Sequence, residues 1–287
     1  MIWLIYGAKG WIGSMVKNLL VADNEIVVDG KYRADDNINV EKEILEVNPD
    51  RILCLVGRTR GDNFTSIDYL EQKGKLVENI RDNLFSPITL ALLAIKHHKH
   101  LTYLGTGCIF SGYTDNGYTE DDNPNFFGSS YSVVKGYTDR IMHILDNFSP
   151  WVLNVRIRMP ITDDNNDRNF IMKILKYQKI CNMPNSMTVL PELLPYMIDM
   201  AKNKVTGTIN LTNPGLISHN EILQLVKDII NPDLTWENFT FEEQQQILLS
   251  ERSNNYLCTQ KIQELYPNIK PIHESVKNII ENLKYVI

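Results

Sequence analysis

Residues 2–13 read IWLIYGAKGWIG, an apolar run that leads directly into three evenly spaced glycines. The run Ile2–Tyr6 is typical of a buried strand, and helical spacing of apolar side chains follows the glycines. Gly7 permits a tight turn, Gly10 allows the backbone to approach a pyrophosphate, and Gly13 allows the helix to pack against the strand. This stretch therefore predicts the strand–turn–helix unit of a dinucleotide-binding fold.

Outward from this turn, short apolar runs alternate with helical patterns through the first half of the chain. The predicted strands after the first are Glu25–Val28, Arg51–Val56, Leu101–Thr106 and Trp151–Ile157. The predicted helices are Trp11–Val21, Val40–Glu46, Lys75–Lys96 and Ser130–Leu145. Strands that alternate with helices form a parallel sheet through right-handed crossovers. The predicted fold class is therefore α/β, a Rossmann-type doubly wound parallel sheet.

The second half of the chain loses this alternation after Arg158-Met-Pro160. The predicted elements there are helices Phe170–Lys179, Glu192–Lys202 and His219–Ile230, a late strand Gly207–Leu211 and a polar, helical remainder. Ser218 is the expected cap of the helix that follows it. We expect residues 1–160 to form the dinucleotide-binding domain and residues 161–287 a smaller C-terminal substrate-binding lobe, interleaved with the first rather than independent.

Composition and charge limit the classes of partner. Of the 287 residues, 43% are hydrophobic and 22% are charged, as in ordinary globular proteins, which excludes wholesale disorder. The formal net charge of -6 argues against a nucleic-acid partner, because phosphate binding needs a basic surface. No apolar run reaches the roughly 20 residues of a membrane helix, and the opening run is too short for a signal-peptide core. We expect a cytoplasmic protein that binds neither nucleic acid nor membrane.

The cysteines and histidines do not indicate a metal site. Four cysteines are scattered along the chain without a Cys-x-x-Cys pair, namely Cys54, Cys108, Cys181 and Cys258. This spacing argues against a zinc site and against a disulfide framework, and it fits a reducing cytosol. The run His97-His98-Lys99-His100 precedes the fourth strand and belongs at the amino edge of the sheet. We interpret it as a solvated helix end.

Residues after the second strand decide which nicotinamide cofactor suits the glycine turn. An acidic residue there holds the ribose hydroxyls of NAD, and Asp29 has that position. Lys31 and Arg33 follow it, and a guanidinium suits the 2′-phosphate of NADP, although both cations can also be solvated loop residues. We predict NADPH, which makes residues 1–160 an NADP-binding domain. The predicted cofactor contacts are Gly7, Lys9, Gly10, Trp11, Ile12, Gly13, Arg33, Gly57, Tyr131 and Lys135.

Tyr131 and Lys135 lie four residues apart in a predicted helix and therefore share one helix face. A phenol beside a fixed ammonium deprotonates more easily and can exchange a proton with a carbonyl or alcohol near neutral pH. Thr106 ends the fourth strand at the carboxyl edge, where open α/β sheets bind ligands. These residues predict hydride transfer to a carbonyl whose oxygen is hydrogen-bonded by Thr106 and Tyr131.

Cys108 lies two positions after Thr106, so the two side chains point to one face if the strand geometry persists. A thiol there can move protons at the carbons that flank a carbonyl, a role that a simple reductase does not need. A buried cysteine that packs as a small hydrophobe is the alternative, and the spacing leaves both interpretations open. Arg156 and Arg158 alternate with apolar residues on the fifth strand, where structural pairing and phosphate binding both remain open.

Together these residues resemble the extended short-chain dehydrogenase/reductases. More narrowly, they resemble the bifunctional epimerase/reductases of nucleotide-rhamnose synthesis, which are related to dTDP-4-dehydrorhamnose reductase. The resemblance covers almost the whole chain, and its most specific stretches are Gly7–Gly13, Thr106–Phe110, Tyr131–Lys135, Arg156–Ile161, Asn169–Lys173, Pro184–Leu194, Asn213–Leu223 and Arg252–Asn255. The chain departs from the family at Cys54-Leu-Val-Gly57, which usually reads Asn-Ala-Ala-Gly, and in Ser111–Glu120, which is shorter than usual.

The resemblance implies that the substrate is UDP-4-keto-6-deoxy-D-glucose. It also implies that one pocket performs 3,5-epimerisation and then NADPH reduction at carbon 4, which forms UDP-L-rhamnose. It assigns the reduction to Thr106, Tyr131 and Lys135. It assigns the epimerisation to Cys108 and Lys173. The expected substrate contacts are Asn169, Asn185, Ser186 and Arg252.

The resemblance also sets the expected partners and the alternatives. A separate nucleotide-sugar 4,6-dehydratase is expected to supply the keto sugar, and a homodimer is common in the superfamily. The alternatives are a reductase without epimerase activity, a non-catalytic NADP-binding regulatory subunit, and a sugar 4-epimerase with permanently bound NAD. The sequence does not separate UDP from dTDP, since both present a pyrimidine and a diphosphate.

Overall fold

The structure, a computed structural model, describes residues 1–61, 64, 66–240, 243 and 250–285. Its strands are β1 (Ile2–Tyr6), β2 (Ile26–Asp29), β3 (Arg51–Cys54), β4 (His100–Thr106), β5 (Val152–Ile157), β6 (Pro160–Ile161), β7 (Lys179–Ile180), β8 (Thr188–Val189), β9 (Gly207–Asn210) and β10 (Glu237–Asn238). In the described part of the chain, six of them form a central sheet in the order β2-β1-β3-β4-β5-β9, with parallel pairing throughout. The order reverses between β1 and β3, and ligands of such sheets bind at the carboxyl ends of the strands there. This doubly wound α/β sheet confirms the predicted fold class.

Helices cover both faces of this sheet. The helices of the described residues are α1 (Trp11–Ala22), α2 (Asn37–Val47), α3 (Leu76–Ile80), α4 (Ser86–Lys96), α5 (Ser130–Phe148), α6 (Phe170–Ile174), α7 (Leu190–Lys202), α8 (His219–Ile229), α9 (Gln260–Leu265) and α10 (Ile272–Leu283). Helices α1 and α7 lie on one face of the sheet, and α2 and α4 lie on the other. Side chains alternate along β1, so Trp3 and Ile5 face α1 and α7 while Leu4 and Tyr6 face α2 and α4. No helix among the described residues is long and apolar enough to cross a membrane.

A separate apolar core lies in the smaller lobe, where α6, α8 and α10 contribute Ile171, Ile222 and Val276. Short two-stranded sheets, β6 with β8 and β7 with β10, complete this lobe. In contrast, β9 and α7 come from the second half of the sequence but belong to the central sheet and its helical layer. The two halves of the sequence therefore interleave. The assignment of cofactor binding to one and substrate binding to the other stays a prediction.

The predicted helical stretch Lys75–Lys96 is confirmed as helical from Leu76 to Lys96, but it is not a uniform α-helix. Helices α3 and α4 flank a π-helical turn at Arg81–Phe85. This turn buries Asp82 and Asn83, whose side chains bond to Arg58 in the loop after β3. A π-helical turn changes the direction of side chains within a helix and is frequent at functional sites. The polar pair here supports the loop at the carboxyl edge of the sheet.

The prediction that the remainder of the chain is helical is wrong for residues 250–259. That segment is extended, and Asn255 and Leu257 form isolated bridges with Gly112 and Tyr118 respectively. Its backbone hydrogen bonds therefore go to the loop that follows β4 rather than to a helix. This pairing brings a late segment of the chain under the carboxyl edge of the sheet.

Two helix ends in the smaller lobe can be compared with the predictions. The predicted cap at Ser218 is confirmed, because Ser218 and Glu221 form a reciprocal capping box at the start of α8. The predicted helix Phe170–Lys179 is too long, since α6 ends at Ile174 and the chain then becomes extended to form β7.

Candidate active site

The glycine turn between β1 and α1 is shaped for close approach. Gly7 has a φ of 91°, and a Cβ there would lie 2.7 Å from the backbone of Leu55. A Cβ on Gly13 would lie 2.1 Å from the Gly7 carbonyl oxygen, so helix and strand pack too closely for any side chain. No side chain caps α1 at Gly10. The first N–H groups of α1 can therefore bind an anion, which fits the pyrophosphate of a dinucleotide.

The other predicted residues of the glycine turn have different surroundings. Lys9 is exposed, whereas Ile12 packs against the core beside β1. Trp11 donates its indole N–H to the Asp164 carboxylate at 3.2 Å, and so ties the turn to the polar loop of the smaller lobe. Their contacts with the cofactor stay predictions.

Asp29 and Arg33 meet charged partners at the end of β2. The Asp29 carboxylate accepts two hydrogen bonds of 2.9 Å from Lys17 on α1. The Arg33 guanidinium bonds Asp35 at 3.0 Å and Asp82 at 3.2 Å, while more than half of its side chain stays exposed. Arg33 is therefore held in an ordered position after β2 but remains accessible to a ligand.

The Asp82 carboxylate forms ion pairs with arginines from three segments of the chain. Besides Arg33, Arg58 reaches its carboxylate at 3.1 Å and Arg81 at 2.8 Å. Burial acts to raise the pKa of Asp82, but the hydrogen bonds from Arg81 and Arg58 outweigh it and lower that pKa. We call this set, Arg33, Arg58, Arg81 and Asp82, the arginine cluster. Guanidinium groups fit phosphate oxygens in two-pronged geometry, so the cluster suits a 2′-phosphate.

Asn83 fixes the turn that begins at Gly57. Its side-chain amide accepts a hydrogen bond from the Arg58 N–H at 3.0 Å and donates to the Arg58 carbonyl at 2.9 Å. It also donates to Asn79, one helical turn earlier, at 2.8 Å. Arg58, Asn79, Asp82 and Asn83 were not among the predicted site residues. The available signal was the pair of asparagines four residues apart, on one face of the helical pattern.

Thr106 and Tyr131 meet at the carboxyl end of β4. Tyr131 lies in the first turn of α5, which Ser129 caps by accepting a hydrogen bond from the Ser132 N–H at 3.0 Å. Thr106 lies close enough to the Tyr131 phenol to act on its pKa, and both residues are less than one-tenth exposed. Burial raises the pKa of Tyr131, and Thr106 acts in the opposite direction. The net direction is opposite to the one expected from the neighbouring Lys135, and the catalytic role of the phenol stays a prediction.

Lys135 lies one helical turn beyond Tyr131 and is buried. Its ammonium donates a hydrogen bond to the Tyr103 hydroxyl on β4. Burial lowers the pKa of Lys135 to about 8. In the free protein Lys135 is bonded to Tyr103, and its predicted contact with the cofactor stays a prediction.

Cys108 lies beside the Thr106–Tyr131 pair. Its backbone N–H donates to the Thr106 hydroxyl at 3.1 Å, and its half-buried side chain packs in the cluster that contains Tyr69 and Tyr131. The Cys108 sulfur is also 3.6 Å from the Arg158 guanidinium. The structure thus brings the thiol, the phenol and the threonine hydroxyl together, as the spacing suggested.

Lys173 is not an ordinary surface lysine. It lies on α6, whose first turn is capped by Asn169. Burial lowers the pKa of Lys173, and the nearby cations Arg60 and Arg168 lower it further. A lysine in that state exchanges protons closer to neutral pH than a solvated one does.

Arg156 and Arg158 lie two residues apart but have different partners in the structure. Arg156 is fully buried and forms an ion pair of 2.7 Å with Asp139 on α5, so its role is structural. Arg158 is also fully buried, but its hydrogen bonds go to Asn185 and Ser253. The sequence alone did not distinguish these two environments.

The expected substrate contacts in the smaller lobe are engaged in the protein itself. The Asn169 amide bonds the backbone of residues 162 and 164, and the Ser186 hydroxyl accepts from the Leu257 N–H at 2.9 Å. Arg252 forms an ion pair of 2.6 Å with Asp68. Asn185 is fully buried against Arg158. Their direct contact with a nucleotide stays a prediction.

Comparisons with known proteins agree with this geometry. No family model matches the chain. It is similar to uncharacterized protein L780 of Acanthamoeba polyphaga mimivirus, with 56% identity over 99% of each chain. The crystal structure of L780, a UDP-rhamnose synthase, has a TM-score of 0.96 and covers 98% of this chain and 99% of that chain.

Two more distant proteins are also similar to this chain. The bifunctional dTDP-4-dehydrorhamnose 3,5-epimerase/dTDP-4-dehydrorhamnose reductase of Arabidopsis thaliana is 40% identical over 96% of this chain and 90% of its own length. A dTDP-4-dehydrorhamnose reductase from Bacillus anthracis, crystallised with NADP, covers 97% of this chain and 96% of that chain with a TM-score of 0.78. At 16% identity, this last protein shows a shared fold alone.

Proposed function

This chain belongs to the family of bifunctional nucleotide-rhamnose epimerase/reductases, and from that premise we propose that it converts UDP-4-keto-6-deoxy-D-glucose into UDP-L-rhamnose. The observation that carries the proposal is the meeting of Thr106, Cys108 and Tyr131 at the carboxyl end of β4. They lie on the same edge of the sheet as the glycine turn. The 56% identity with L780, a UDP-rhamnose synthase, over nearly the whole chain supports the same activity.

Epimerisation depends on the acidity of the carbons that flank the ketone. When a base removes a proton from carbon 3 or 5, negative charge develops on the carbonyl oxygen. The Thr106 hydroxyl and the Tyr131 phenol are the donors that stabilise this charge, and one such donor is worth roughly 3 kcal/mol. Cys108 takes the proton, and Lys173 returns a proton to the other face of the sugar. The two roles follow the family resemblance.

Reduction uses the same oxygen contacts. NADPH supplies the hydride for carbon 4 when it is bound in the crevice. Tyr131 gives its proton to the resulting alkoxide, and its raised pKa keeps the phenol in the protonated form that this step needs. Lys135, buried one turn away, is placed to replenish that proton or to orient the ribose.

The cofactor is NADPH rather than NADH. The glycine turn and the first N–H groups of α1 would hold the pyrophosphate, and the arginine cluster would supply cations to a 2′-phosphate. The Asp29 carboxylate, which would hold a 2′-hydroxyl, is already bonded to Lys17. A 2′-phosphate therefore finds more favourable partners than a 2′-hydroxyl.

The proposal includes two partners. A separate 4,6-dehydratase supplies the substrate, because a 4-keto-6-deoxy sugar arises by loss of water from the parent nucleotide sugar. A second copy of this chain covers an exposed apolar stripe on α5, formed by Tyr137, Ile144 and Phe148. Phe85 and Leu92 extend this surface at the neighbouring α4, and an apolar surface of this kind favours association.

Deuterium uptake tests the epimerase half directly. Incubation with the keto sugar in deuterium oxide without NADPH is expected to place deuterium at carbons 3 and 5. The Cys108→Ser variant is expected to lose this uptake by about a hundredfold or more, because it lacks the base, while it still reduces pre-epimerised sugar with NADPH. Mass spectrometry and proton NMR measure both results.

The same assay separates the alternatives. Reduction without uptake in the wild type indicates a reductase only. Tight NADPH binding without turnover of UDP or dTDP keto sugars indicates a regulatory subunit, and a protein that purifies with bound NAD and needs no NADPH indicates a 4-epimerase. A side-by-side assay of the UDP and dTDP keto sugars establishes which nucleotide the enzyme prefers.

A further inference from the structure

Arg158 is a buried cation without a carboxylate partner. It directly follows β5, and only 1% of its surface is exposed. Arg156, on the same face of the same strand, is equally buried but has Asp139 at 2.7 Å. Among the residues that the structure describes, no carboxylate forms an ion pair with Arg158. A buried charge is costly unless it is paired, so this guanidinium requires an explanation.

The hydrogen bonds of Arg158 go to neutral groups. One terminal nitrogen donates to the Ser253 hydroxyl at 2.9 Å, and the other donates to the Ser253 carbonyl and to the Asn185 side chain. The Arg158 Nε is buried and has no hydrogen-bond partner within the described residues. These contacts hold the guanidinium in place, but they do not neutralise it.

The Cys108 thiol, which can carry negative charge, contacts Arg158. The Arg158 Nη1 lies 3.6 Å from the Cys108 sulfur, within reach of a hydrogen bond to sulfur. Burial lowers the pKa of Arg158, and the interactions with Cys108 and then Tyr113 oppose that shift. A cation beside a cysteine favours the thiolate, which is the nucleophilic and basic form of the residue.

Other titratable groups also surround Cys108. Tyr131 faces it from α5 and Tyr69 from the turn before α3, and burial keeps the Tyr131 phenol protonated. Lys135 on α5 also acts on Cys108, but its ammonium is bonded to the Tyr103 hydroxyl. Arg158 is therefore the cation in direct contact with the sulfur.

We propose that Arg158 is a positioning residue that holds Cys108 as a thiolate and thereby makes it the base of epimerisation. This inference rests on the proposed function. In the step, the C–H bond beside the ketone breaks, the proton forms an S–H bond with Cys108, and the electron pair moves to the carbonyl oxygen. Arg158 keeps its own proton throughout and pairs with the sulfur while it is negative.

The rate of Cys108 alkylation by iodoacetamide measures its ionised fraction without substrate. In the wild type, the rate at pH 7 is expected to be within about threefold of the rate at pH 10, where every accessible thiol is ionised. In Arg158→Met, the rate at pH 7 is expected to fall by about tenfold or more, while the rate at pH 10 changes little. Arg158→Lys keeps the charge and is expected to restore most of the rate at pH 7.

Peptide mass spectrometry assigns the label to Cys108, and Cys258 in the same molecule is the reference thiol, whose rates should not respond to Arg158→Met. The inference would be overturned if the ratio of the Cys108 alkylation rate at pH 7 to that at pH 10 were the same in the wild type and in Arg158→Met. A purely structural arginine would change the access of reagent to Cys108 at both pH values alike. If Arg158→Met does not fold, a wild-type rate at pH 7 at least about tenfold below that at pH 10 overturns it equally.

Deuterium uptake then separates this inference from the proposed function. Loss of uptake in Arg158→Met with recovery in Arg158→Lys supports both. A wild type that labels rapidly at pH 7 but takes up no deuterium contradicts the proposed function and leaves the Arg158–Cys108 pairing intact. Normal uptake together with unchanged labelling in Arg158→Met contradicts the pairing alone.

Discussion

At the scale of single residues, burial rather than charge controls the Tyr131 phenol. Lys135 shares its helix face, yet the ammonium is directed to Tyr103, and burial raises the pKa of Tyr131. The protonated phenol is the form that donates to an enolate or alkoxide oxygen. If Tyr131 is the proton donor of the reduction, the raised pKa keeps it in the form that this step needs.

The arginine cluster gives a prediction about cofactor choice. Arg33→Ala removes one charged hydrogen-bond donor from the 2′-phosphate, and such a bond contributes about 1.5–3 kcal/mol. We expect the kcat/KM for NADPH to fall by roughly tenfold or more, while that for NADH stays within about twofold.

The control for this prediction is Lys42→Ala, which removes an exposed cation of α2 that pairs with Glu46. It should leave both cofactors unaffected. If NADPH and NADH respond equally to Arg33→Ala, or if the wild type does not distinguish them, Arg33 does not read the 2′-phosphate.

At the scale of elements, helix α5 directs one face toward the candidate site and the opposite face toward the protein surface. Tyr131 and Lys135 point inward, whereas Tyr137, Ile144 and Phe148 point outward and repeat at helical spacing. Such an apolar outer face is unfavourable in water. A dimer that buries it would also stabilise the helix that holds Tyr131 and Lys135.

Introduction of a charge into the α5 stripe tests this dimer. Light scattering after gel filtration should give the wild type twice the chain mass of 33.1 kDa. Ile144→Glu buries a carboxylate in the interface and should shift the protein to the monomer mass. Gln224→Glu makes the same change of charge on an exposed position of α8 and should remain dimeric. A monomeric wild type contradicts the proposed association.

At the scale of the whole molecule, buried histidines link stability to pH in both lobes. His100 begins β4 in the central sheet, and His219 begins α8 in the smaller lobe. Burial lowers the pKa of each to about 4. Both are neutral in the folded protein between pH 4 and 6.5, where they bind protons in the unfolded chain. Folding stability therefore falls as the pH falls through this range.

His100→Gln isolates one of these contributions. Glutamine can still donate a hydrogen bond to the Val205 carbonyl but does not titrate. When the pH falls from 7 to 4.5, the wild type should lose about 2 kcal/mol more unfolding free energy than the variant. Urea unfolding of both proteins at the two pH values measures this difference. An equal stability difference at both pH values would show that His100 does not titrate on unfolding.

Local patterns in the sequence are sufficient to predict several parts of this protein. The glycine turn, the alternation of strands and helices and the cap at Ser218 follow from spacing within a few residues. Because Thr106 ends a strand and Tyr131 begins a helix, their place at one sheet edge follows from the alternation. The roles of the site residues that no observation tests stay predictions.

Contacts between distant segments of the chain were not predictable from local pattern. The partner of Arg158, Ser253, is 95 residues away, and the bond from Arg33 to Asp82 spans 49 residues. No periodic signal marks such pairs, since each depends on how the whole sheet and its loops pack. Arg156 and Arg158 look alike in sequence, yet one meets a carboxylate and the other a thiol. Long-range packing assigns those partners, and with them the charge at the site.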